Sequence, residues 1–284
     1  MISILSVSNK RLLLLFCVVL FICSCKKDSI VVEEIVAELD ISYSETQALD
    51  IFYFSPFNDK KPVLIFVHGG SWYAGDKSEW TLDHINMFLE YGIINISVNY
   101  GFTSHPTQIN DVAKAVKWVY DNVEKYGGDK NKIFLLGFSA GAHLVSLLST
   151  DESYLKTEGL SLKNINRVCA YDGGNYMSHA ESILYSTIEN DFRKTFGNDW
   201  EGWKKVLPYH QISKGKNIPP FLLVAEKDVD YRIDSNKEFA SKLKSNGYEV
   251  NELYIPGCNH GEIFYEKFFD RDVKEQIIDF YTKL

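Results

Sequence analysis

The sequence is poor in cysteine, and this limits how the fold can be stabilised. Only 5 of its 284 residues are cysteine. Cys17, Cys23 and Cys25 lie near the N-terminus, which leaves Cys169 and Cys258 for the rest of the chain. Two thiols do not make a disulfide framework, so a hydrophobic core must hold the fold. We expect Cys169, which stands in an apolar run, to be a buried free thiol.

Positive charge is also in deficit. The chain has 30 Lys and Arg residues against 38 Asp and Glu residues, a net charge of −8. Without residues 1–24, which carry only Lys10 and Arg11, the count is 28 against 38, a net charge of −10. Such a surface disfavours nucleic acid and anionic membrane as partners. The sequence contains neither internal repeats nor low-complexity tracts, so we expect one domain with one large core.

An uninterrupted apolar stretch, Leu12–Ile22, lies near the N-terminus and follows Asn9-Lys10-Arg11. It is shorter than the roughly 20 residues that a membrane-spanning helix needs. We interpret residues 1–24 as a signal peptide. Ile22-Cys23-Ser24-Cys25 resembles a bacterial lipobox, which predicts lipid attachment at Cys25 and a place in the bacterial cell envelope, on the periplasmic face or the cell surface. A plain secretory signal and an uncleaved anchor are the alternatives.

Residues 25–45 are predicted to be a tether and a first edge segment, with the tether over residues 26–40 and an edge strand beyond it. Residues 46–284 are predicted to form the folded domain, in which strands alternate with helices. This alternation favours an α/β fold with a mostly parallel sheet. Strands are expected near 50–54, 62–67, 93–98, 133–136, 166–171, 220–225 and 250–255, and helices near 80–91, 107–126, 140–150, 235–246 and 263–282. Residues 175–215 are longer than a crossover needs and rich in aromatic residues, so we interpret them as a cap insertion.

The segment Gly137-Phe138-Ser139-Ala140-Gly141 stands directly between an apolar run and a helix-like stretch. A Gly-x-Ser-x-Gly pattern in this context is typical of a sharp strand-to-helix turn that presents a serine hydroxyl above the sheet edge. Both glycines are expected because a side chain at either position would collide with neighbouring backbone. Ser139 is therefore the candidate nucleophile.

A second glycine turn, His68-Gly69-Gly70-Ser71-Trp72, follows the apolar run Val63–Val67. Attack on a carbonyl group places negative charge on its oxygen, and fixed backbone N–H groups stabilise that charge. The candidate donors are the amides of Gly70, Ser71 and Ala140. His68 is expected to hold this loop by hydrogen bonding.

A serine nucleophile needs a base and a carboxylate that orients the base. His260 and Asp228 both follow predicted strands, and the chain order of serine, acid and histidine fits a hydrolase triad. Asp230 and Asp234 are rivals for Asp228, although Asp234 is expected to open a helix. His143 lies on the helix after the serine and is interpreted as a packing or capping group.

Together these residues resemble an α/β-hydrolase of the esterase/lipase superfamily, from the branch that holds kynurenine formamidases and bacterial feruloyl or acetyl esterase-like enzymes. The resemblance covers about residues 48–284 and rests on His68–Lys77, Ser97–Tyr100, Pro106–Asp129, Gly137–Leu144, Pro208–His210, the strand entering Asp228, and Asn259–Gly261. Three positions depart from the family pattern: Ser71 replaces a third glycine, Asn99-Tyr100-Gly101 replaces Asp-Tyr-Arg, and Ala225 replaces a glycine. None of these changes removes a catalytic group.

The resemblance implies a serine carboxylesterase that works through an acyl-enzyme and requires neither a metal nor another cofactor. Acetyl or feruloyl esters of carbohydrate, or similar small esters, are the expected substrates. A kynurenine formamidase-like amide hydrolase is the alternative enzyme. An inactive hydrolase fold that serves as a surface binding protein is the alternative from another class.

Overall fold

A computed structural model describes residues 4–7, 11–14, 34–174 and 189–283 of the chain. The strands of this part of the chain are β1 (Ile4–Val7), β2 (Arg11–Leu14), β3 (Glu34–Ser42), β4 (Ala48–Ser55), β5 (Lys61–Val67), β6 (Ile94–Val98), β7 (Gly128–Phe138), β8 (Arg167–Tyr171), β9 (Phe221–Glu226) and β10 (Val250–Ile255). Its α-helices are α1 (Leu82–Leu89), α2 (Thr107–Asn122), α3 (Ala140–Thr150), α4 (Glu152–Thr157), α5 (Glu189–Phe196), α6 (Trp200–Val206), α7 (Pro208–Gln211), α8 (Asp230–Ser245), α9 (Glu262–Tyr265) and α10 (Arg271–Thr282).

The strands form one sheet in the order β1-β2-β3-β4-β6-β5-β7-β8-β9-β10. From β6 to β10 every neighbouring pair is parallel, whereas the pairs from β1 to β4, and β4 with β6, are antiparallel. This is the mostly parallel α/β sheet that the alternating sequence pattern predicts. The carboxyl ends of the parallel strands meet at one sheet edge, and the loops after β5, β7, β8, β9 and β10 leave from that edge.

Helices cover both faces of the parallel strands, which explains why those strands are continuously apolar. Alternate residues of β5 belong to opposite core layers: Val63 and Ile65 pack with α2, α3 and α8. Leu64 and Phe66 pack with α1 and α10. Residues Ile109, Val112, Ala113, Val116 and Val119 of α2 are fully buried and form the side of the helix that faces the core.

Several predicted boundaries were wrong. Strand β3 begins at Glu34, inside the predicted tether, because Ile35, Val36 and Ala37 pair with β4 and are buried. The last predicted helix is broken into α9, a short 3-10 helix at Lys267–Phe269, and α10. Helix α8 begins at Asp230, so Asp234 lies inside it and does not open it.

The predicted cap region contains helices α5, α6 and α7, while its residues 175–188 lie outside the described residues, as does Cys25. Phe192 and Trp203 of this region are buried. Cys169 is a buried free cysteine, as expected. Within the described ranges, every helix is too short or too polar to cross a bilayer.

Candidate active site

Ser139 occupies a strained turn between β7 and α3. Its backbone has φ +55° and ψ −117°, a conformation that a non-glycine residue rarely adopts. A Cβ atom at Gly137 would lie 2.2 Å from the carbonyl oxygen of Gly141, and a Cβ atom at Gly141 would lie 2.0 Å from that of Val67. Both glycines are therefore required by close backbone contacts, as the motif predicts.

The Ser139 hydroxyl lies within hydrogen-bonding distance of a histidine. Its Oγ is 2.8 Å from Nε2 of His260, which stands in the loop between β10 and α9. The imidazole stacks on Phe138, with ring centroids 4.8 Å apart, and this contact limits its rotation. The neighbouring Asn259 accepts hydrogen bonds from the N–H groups of Gly261 and Glu262 and so shapes the loop. The two predicted side chains are thus brought together across 121 residues of sequence.

The carboxylate beside the imidazole is Asp172, which sequence analysis missed. Its Oδ2 lies 2.5 Å from Nδ1 of His260. Asp172 follows β8 directly, has φ +51° and is buried. Its other oxygen, Oδ1, accepts a hydrogen bond of 2.9 Å from the N–H of Glu226. The hydroxyl, imidazole and carboxylate therefore form one continuous chain of hydrogen bonds.

The predicted partner Asp228 forms neither a hydrogen bond nor an ion pair with His260, whose polar partners in the described part of the chain are Ser139 and Asp172. Oδ2 of Asp228 instead accepts a hydrogen bond of 2.8 Å from the N–H of Gly257, in the loop that carries the histidine. The rivals Asp230 and Asp234 lie in the first two turns of α8. The choice among these three was wrong because all three follow β9, whereas the loop after the neighbouring strand β8 reaches the imidazole. Asp172 carries a signal like that of Asp228, an aspartate within two residues of the end of an apolar strand, and could have been found by it.

Two further ionisable groups surround the acid. Arg232 donates from Nη1 to Oδ2 of Asp172 at 2.9 Å and also to Oε1 of Glu226. Burial raises the pKa of Glu226, and the charge of Asp172 raises it further, while Arg232 opposes that rise. The guanidinium therefore compensates the negative charge of two buried carboxyl groups.

The predicted oxyanion loop has three consecutive residues with positive φ: Gly70 (+93°), Ser71 (+50°) and Trp72 (+66°). A Cβ atom at Gly70 would lie 2.1 Å from the carbonyl oxygen of Ala74, so only glycine fits there. A Cβ atom at Gly69 would lie 3.1 Å from Cβ of Ser139, which shows how closely the loop approaches the serine.

The N–H groups of Gly70, Ser71 and Ala140 donate no hydrogen bond to a described residue. For Ala140 this follows from its place in the first turn of α3, where backbone donors have no partner within the helix. Free donors beside the serine can bind an anionic oxygen, and the positive end of the α3 dipole adds to the attraction.

Two buried histidines, His68 and His143, pack beside the predicted oxyanion loop. His68 stacks on Tyr100, with ring centroids 4.2 Å apart, and burial lowers its pKa to about 4, so the ring is neutral near pH 7. The Tyr100 hydroxyl donates to the carbonyl oxygens of Gly69 and His68. His143 accepts a hydrogen bond at Nδ1 from the Trp72 indole and bonds through Nε2 to the Val206 carbonyl oxygen, which fits the expected packing role.

Across the described residues, no cluster of three or more His, Cys, Asp or Glu side chains has the geometry to hold a metal ion.

A family model with the description BD-FAE matches residues 49–243. The chain belongs to the BD-FAE family. Esterase LipC of Mycobacterium tuberculosis is 28% identical over 231 residues, which cover 76% of this chain and 57% of that protein. The isoprenylcysteine alpha-carbonyl methylesterase ICME of Arabidopsis thaliana is 26% identical over 252 residues, which cover 81% of this chain and 57% of that protein. The chain therefore spans somewhat over half the length of these curated relatives.

A solved structure described as a truncated form of a carbohydrate esterase from gut microbiota superposes with a TM-score of 0.74. It is 20% identical, and the match covers 87% of this chain and 95% of that one. This similarity and the sheet order identify the α/β-hydrolase fold.

Proposed function

We propose that this family member is a serine carboxylesterase whose catalytic residues are Ser139, His260 and Asp172. The observation that carries the proposal is the hydrogen-bond chain from the Ser139 hydroxyl through the His260 imidazole to the Asp172 carboxylate. Each group has the neighbour that acyl transfer needs: a nucleophile beside a base, and the base beside an anion.

In the first half-reaction, Ser139 Oγ attacks the carbonyl carbon of the ester while its proton passes to Nε2 of His260. Asp172 accepts a hydrogen bond from Nδ1–H, so it selects the productive tautomer and stabilises the imidazolium. The amides of Gly70, Ser71 and Ala140 donate to the oxygen that becomes negative. One such donor typically lowers the activation barrier by about 3 kcal/mol.

Collapse of the tetrahedral intermediate breaks the bond to the alcohol oxygen, which takes the proton from His260 Nε2. An acyl group remains on Ser139. Water then attacks this acyl group as His260 removes its proton. The new tetrahedral intermediate collapses by breaking the bond between the acyl carbon and Ser139 Oγ, which takes the proton back from His260 Nε2, and the carboxylic acid leaves. Ser139 and His260 are both partly exposed, so a substrate and water can reach the reacting atoms.

For the substrate, we propose acetyl or feruloyl esters of carbohydrate or similar small esters. The names of the relatives support ester substrates, and that of the structural neighbour supports a carbohydrate ester. The acyl and alcohol groups are set by loops that vary between members of one fold, so this assignment is tested directly below.

The experiment compares wild type with Ser139→Ala on p-nitrophenyl acetate, acetylated and feruloylated xylo-oligosaccharides, and N-formylkynurenine. Loss of the nucleophile should lower turnover by a factor on the order of 10⁶. Equal rates in the two proteins would overturn the esterase proposal and favour the inactive binding protein. Turnover of N-formylkynurenine alone would replace the ester substrate with a formamide.

We also propose that the mature protein carries lipid on Cys25 and is held in the bacterial cell envelope by it. The support is the lipobox-like sequence before Cys25. Mass spectrometry of the mature N-terminus from the expressing bacterium should find acylated Cys25, and Cys25→Ala should release the protein from the membrane fraction. An unmodified N-terminus that begins at another residue would contradict this assignment.

A further inference from the structure

We propose that Asp191, on helix α5, is a positioning residue for the oxyanion loop. This helix belongs to the described part of the predicted cap insertion, residues 189–215, which is called the inserted region below. The inference rests on the function proposed above and adds a residue to its machinery. Its Oδ2 accepts a hydrogen bond of 2.7 Å from Ser71 Oγ, and its Oδ1 accepts one of 2.6 Å from the Tyr73 hydroxyl. One carboxylate therefore holds two side chains of a loop that is more than a hundred residues away in sequence.

The loop needs such support because two of its residues are strained. Ser71 and Trp72 have φ values of +50° and +66°, in the left-handed region that costs a non-glycine residue about 1 kcal/mol or more. Strained backbone persists only where its surroundings determine it. The amide of Ser71 is a candidate oxyanion donor, so any relaxation of this turn moves a catalytic N–H group.

Helix α5 holds both strained residues from one side. Asp191 binds the Ser71 hydroxyl, and the next residue, Phe192, packs edge-on against the Trp72 indole at 5.7 Å. Phe196, one helical turn further, contacts the same indole at 5.1 Å. Phe192 is fully buried, so this part of the helix is anchored in the core.

A cation completes the cluster. Lys194 Nζ lies 3.5 Å from the centroid of the Tyr73 ring, on the face of the same tyrosine whose hydroxyl binds Asp191. The charge of Lys194 stabilises the tyrosine in this position by a cation–π interaction. The inserted region thus contacts the oxyanion loop through the Asp191 carboxylate, the Lys194 ammonium group and two phenylalanine rings.

The first test measures how fast a small fluorophosphonate inactivates the enzyme. Ser139 Oγ forms a bond to phosphorus, fluoride leaves, and the serine proton passes to His260, while the phosphoryl oxygen occupies the oxyanion site. We expect Asp191→Ala, which removes the hydrogen bonds from Ser71 and Tyr73 to a charged group, to slow inactivation about tenfold. With an ester substrate, kcat should fall by a similar factor while KM changes less than about twofold.

The decisive variant is Ser71→Gly, because glycine adopts positive φ without strain. In this background Asp191→Ala should slow inactivation by less than about threefold, since the amide no longer depends on the carboxylate. The same tenfold loss in both backgrounds would overturn the proposal. Glu201→Ala, which removes an exposed carboxylate of the inserted region that pairs with Lys204, is the matched control and should react like wild type.

Thermal unfolding separates failure of this inference from failure of the proposed function. Asp191→Ala should lower the Tm by about 2–4 °C, and Ser71→Ala should then add less than its own separate shift. If the Tm shifts of Asp191→Ala and Ser71→Ala add exactly in the double variant, the two side chains do not stabilise each other, and the inference is overturned. A wild-type protein that the fluorophosphonate does not modify would overturn the proposed function, and the unfolding cycle would still decide whether Asp191 holds the loop.

Discussion

The two sides of the proposed active site are built in different ways. On the nucleophile side, Ser139 and the oxyanion loop are held by backbone contacts so close that a single Cβ atom at Gly137, Gly141 or Gly70 would not fit. On the acid side, His260 and Asp172 stand in separate loops and meet only through side-chain hydrogen bonds. Steric requirements leave a glycine pattern in the sequence, whereas a contact between two loops leaves none. The nucleophile side is therefore easier to predict than the acid side.

Among changes on the acid side, replacing Asp172 should have the largest effect, and it tests that side directly. Asp172→Asn removes the anion that selects the histidine tautomer, and we expect kcat to fall about 10⁴-fold. Asp228→Asn keeps an oxygen acceptor for the Gly257 N–H and should lose less than about tenfold in kcat, as expected for one hydrogen bond. Both variants should be assayed with p-nitrophenyl acetate beside wild type.

The opposite ranking would show that Asp228 supplies the acid during turnover and would restore the pairing expected from sequence. Circular dichroism and thermal unfolding of the two variants serve as the control, because both substitutions preserve side-chain volume.

On the nucleophile side, Gly141→Ala should destabilise the fold. The added methyl would lie 2.0 Å from the carbonyl oxygen of Val67 and 2.5 Å from that of His68, and neither backbone atom can move cheaply. We expect a loss of about 3 kcal/mol or more in the free energy of unfolding, measured in urea.

Gly159→Ala is the matched control for that substitution. Gly159 has φ +72° but has no described neighbour within 4 Å of the added methyl, so alanine there meets strain without collision. Its cost should be about 1 kcal/mol. Equal losses of unfolding free energy at the two glycines would show that close backbone contact is not what requires glycine at position 141.

Removing the cation of the acid side should lower the free energy of unfolding. Arg232→Met keeps an apolar stem but leaves Asp172 and Glu226 without their counter-charge, and breaking a buried pair costs about 3 kcal/mol. Adding Glu226→Gln should recover part of this loss, since it removes one buried charge. Lys60→Met, which breaks an exposed pair with Glu124, should leave the free energy of unfolding nearly unchanged, because water screens an exposed pair.

No recovery in the Arg232→Met/Glu226→Gln double variant would mean that the arginine acts by packing and not by charge. Urea unfolding of the single and double variants gives the three free energies that this comparison needs.

The smallest effect concerns acid stability. Burial lowers the pKa of His84 and His143 to about 3, well below the ordinary value. Between that value and about 6.5 the unfolded chain binds protons that the folded chain does not, so stability falls as pH falls. Each histidine contributes up to about 1.4 kcal/mol per pH unit. His84→Phe should reduce the slope of unfolding free energy between pH 6 and pH 4.5, and an unchanged slope would contradict the neutral buried imidazole.

Local patterns predicted most of the fold. Apolar runs located the strands from β4 to β10 to within a few residues, except that β7 begins five residues earlier, at Gly128. Strand β3 was misplaced because the acidic residues Glu34, Glu38 and Asp40 interrupt its apolar residues, and its pairing with β4 decides that it is a strand. The break in the last predicted helix was missed for a related reason: its apolar residues continue through Phe268, which is buried against α1 and β8.

What the sequence by itself determined is the set of positions where chemistry and steric fit demand one residue type: Ser139 between two glycines, the loop at Gly70, and His260 after the last strand. Only the tertiary structure decided which carboxylate meets the imidazole and which helix braces the oxyanion loop. Asp172 and Asp228 follow adjacent strands and carry the same side chain, so the twist of the sheet and the paths of two loops choose between them. Asp191 reaches Ser71 for the same reason, because long-range packing places groups together that no local pattern relates.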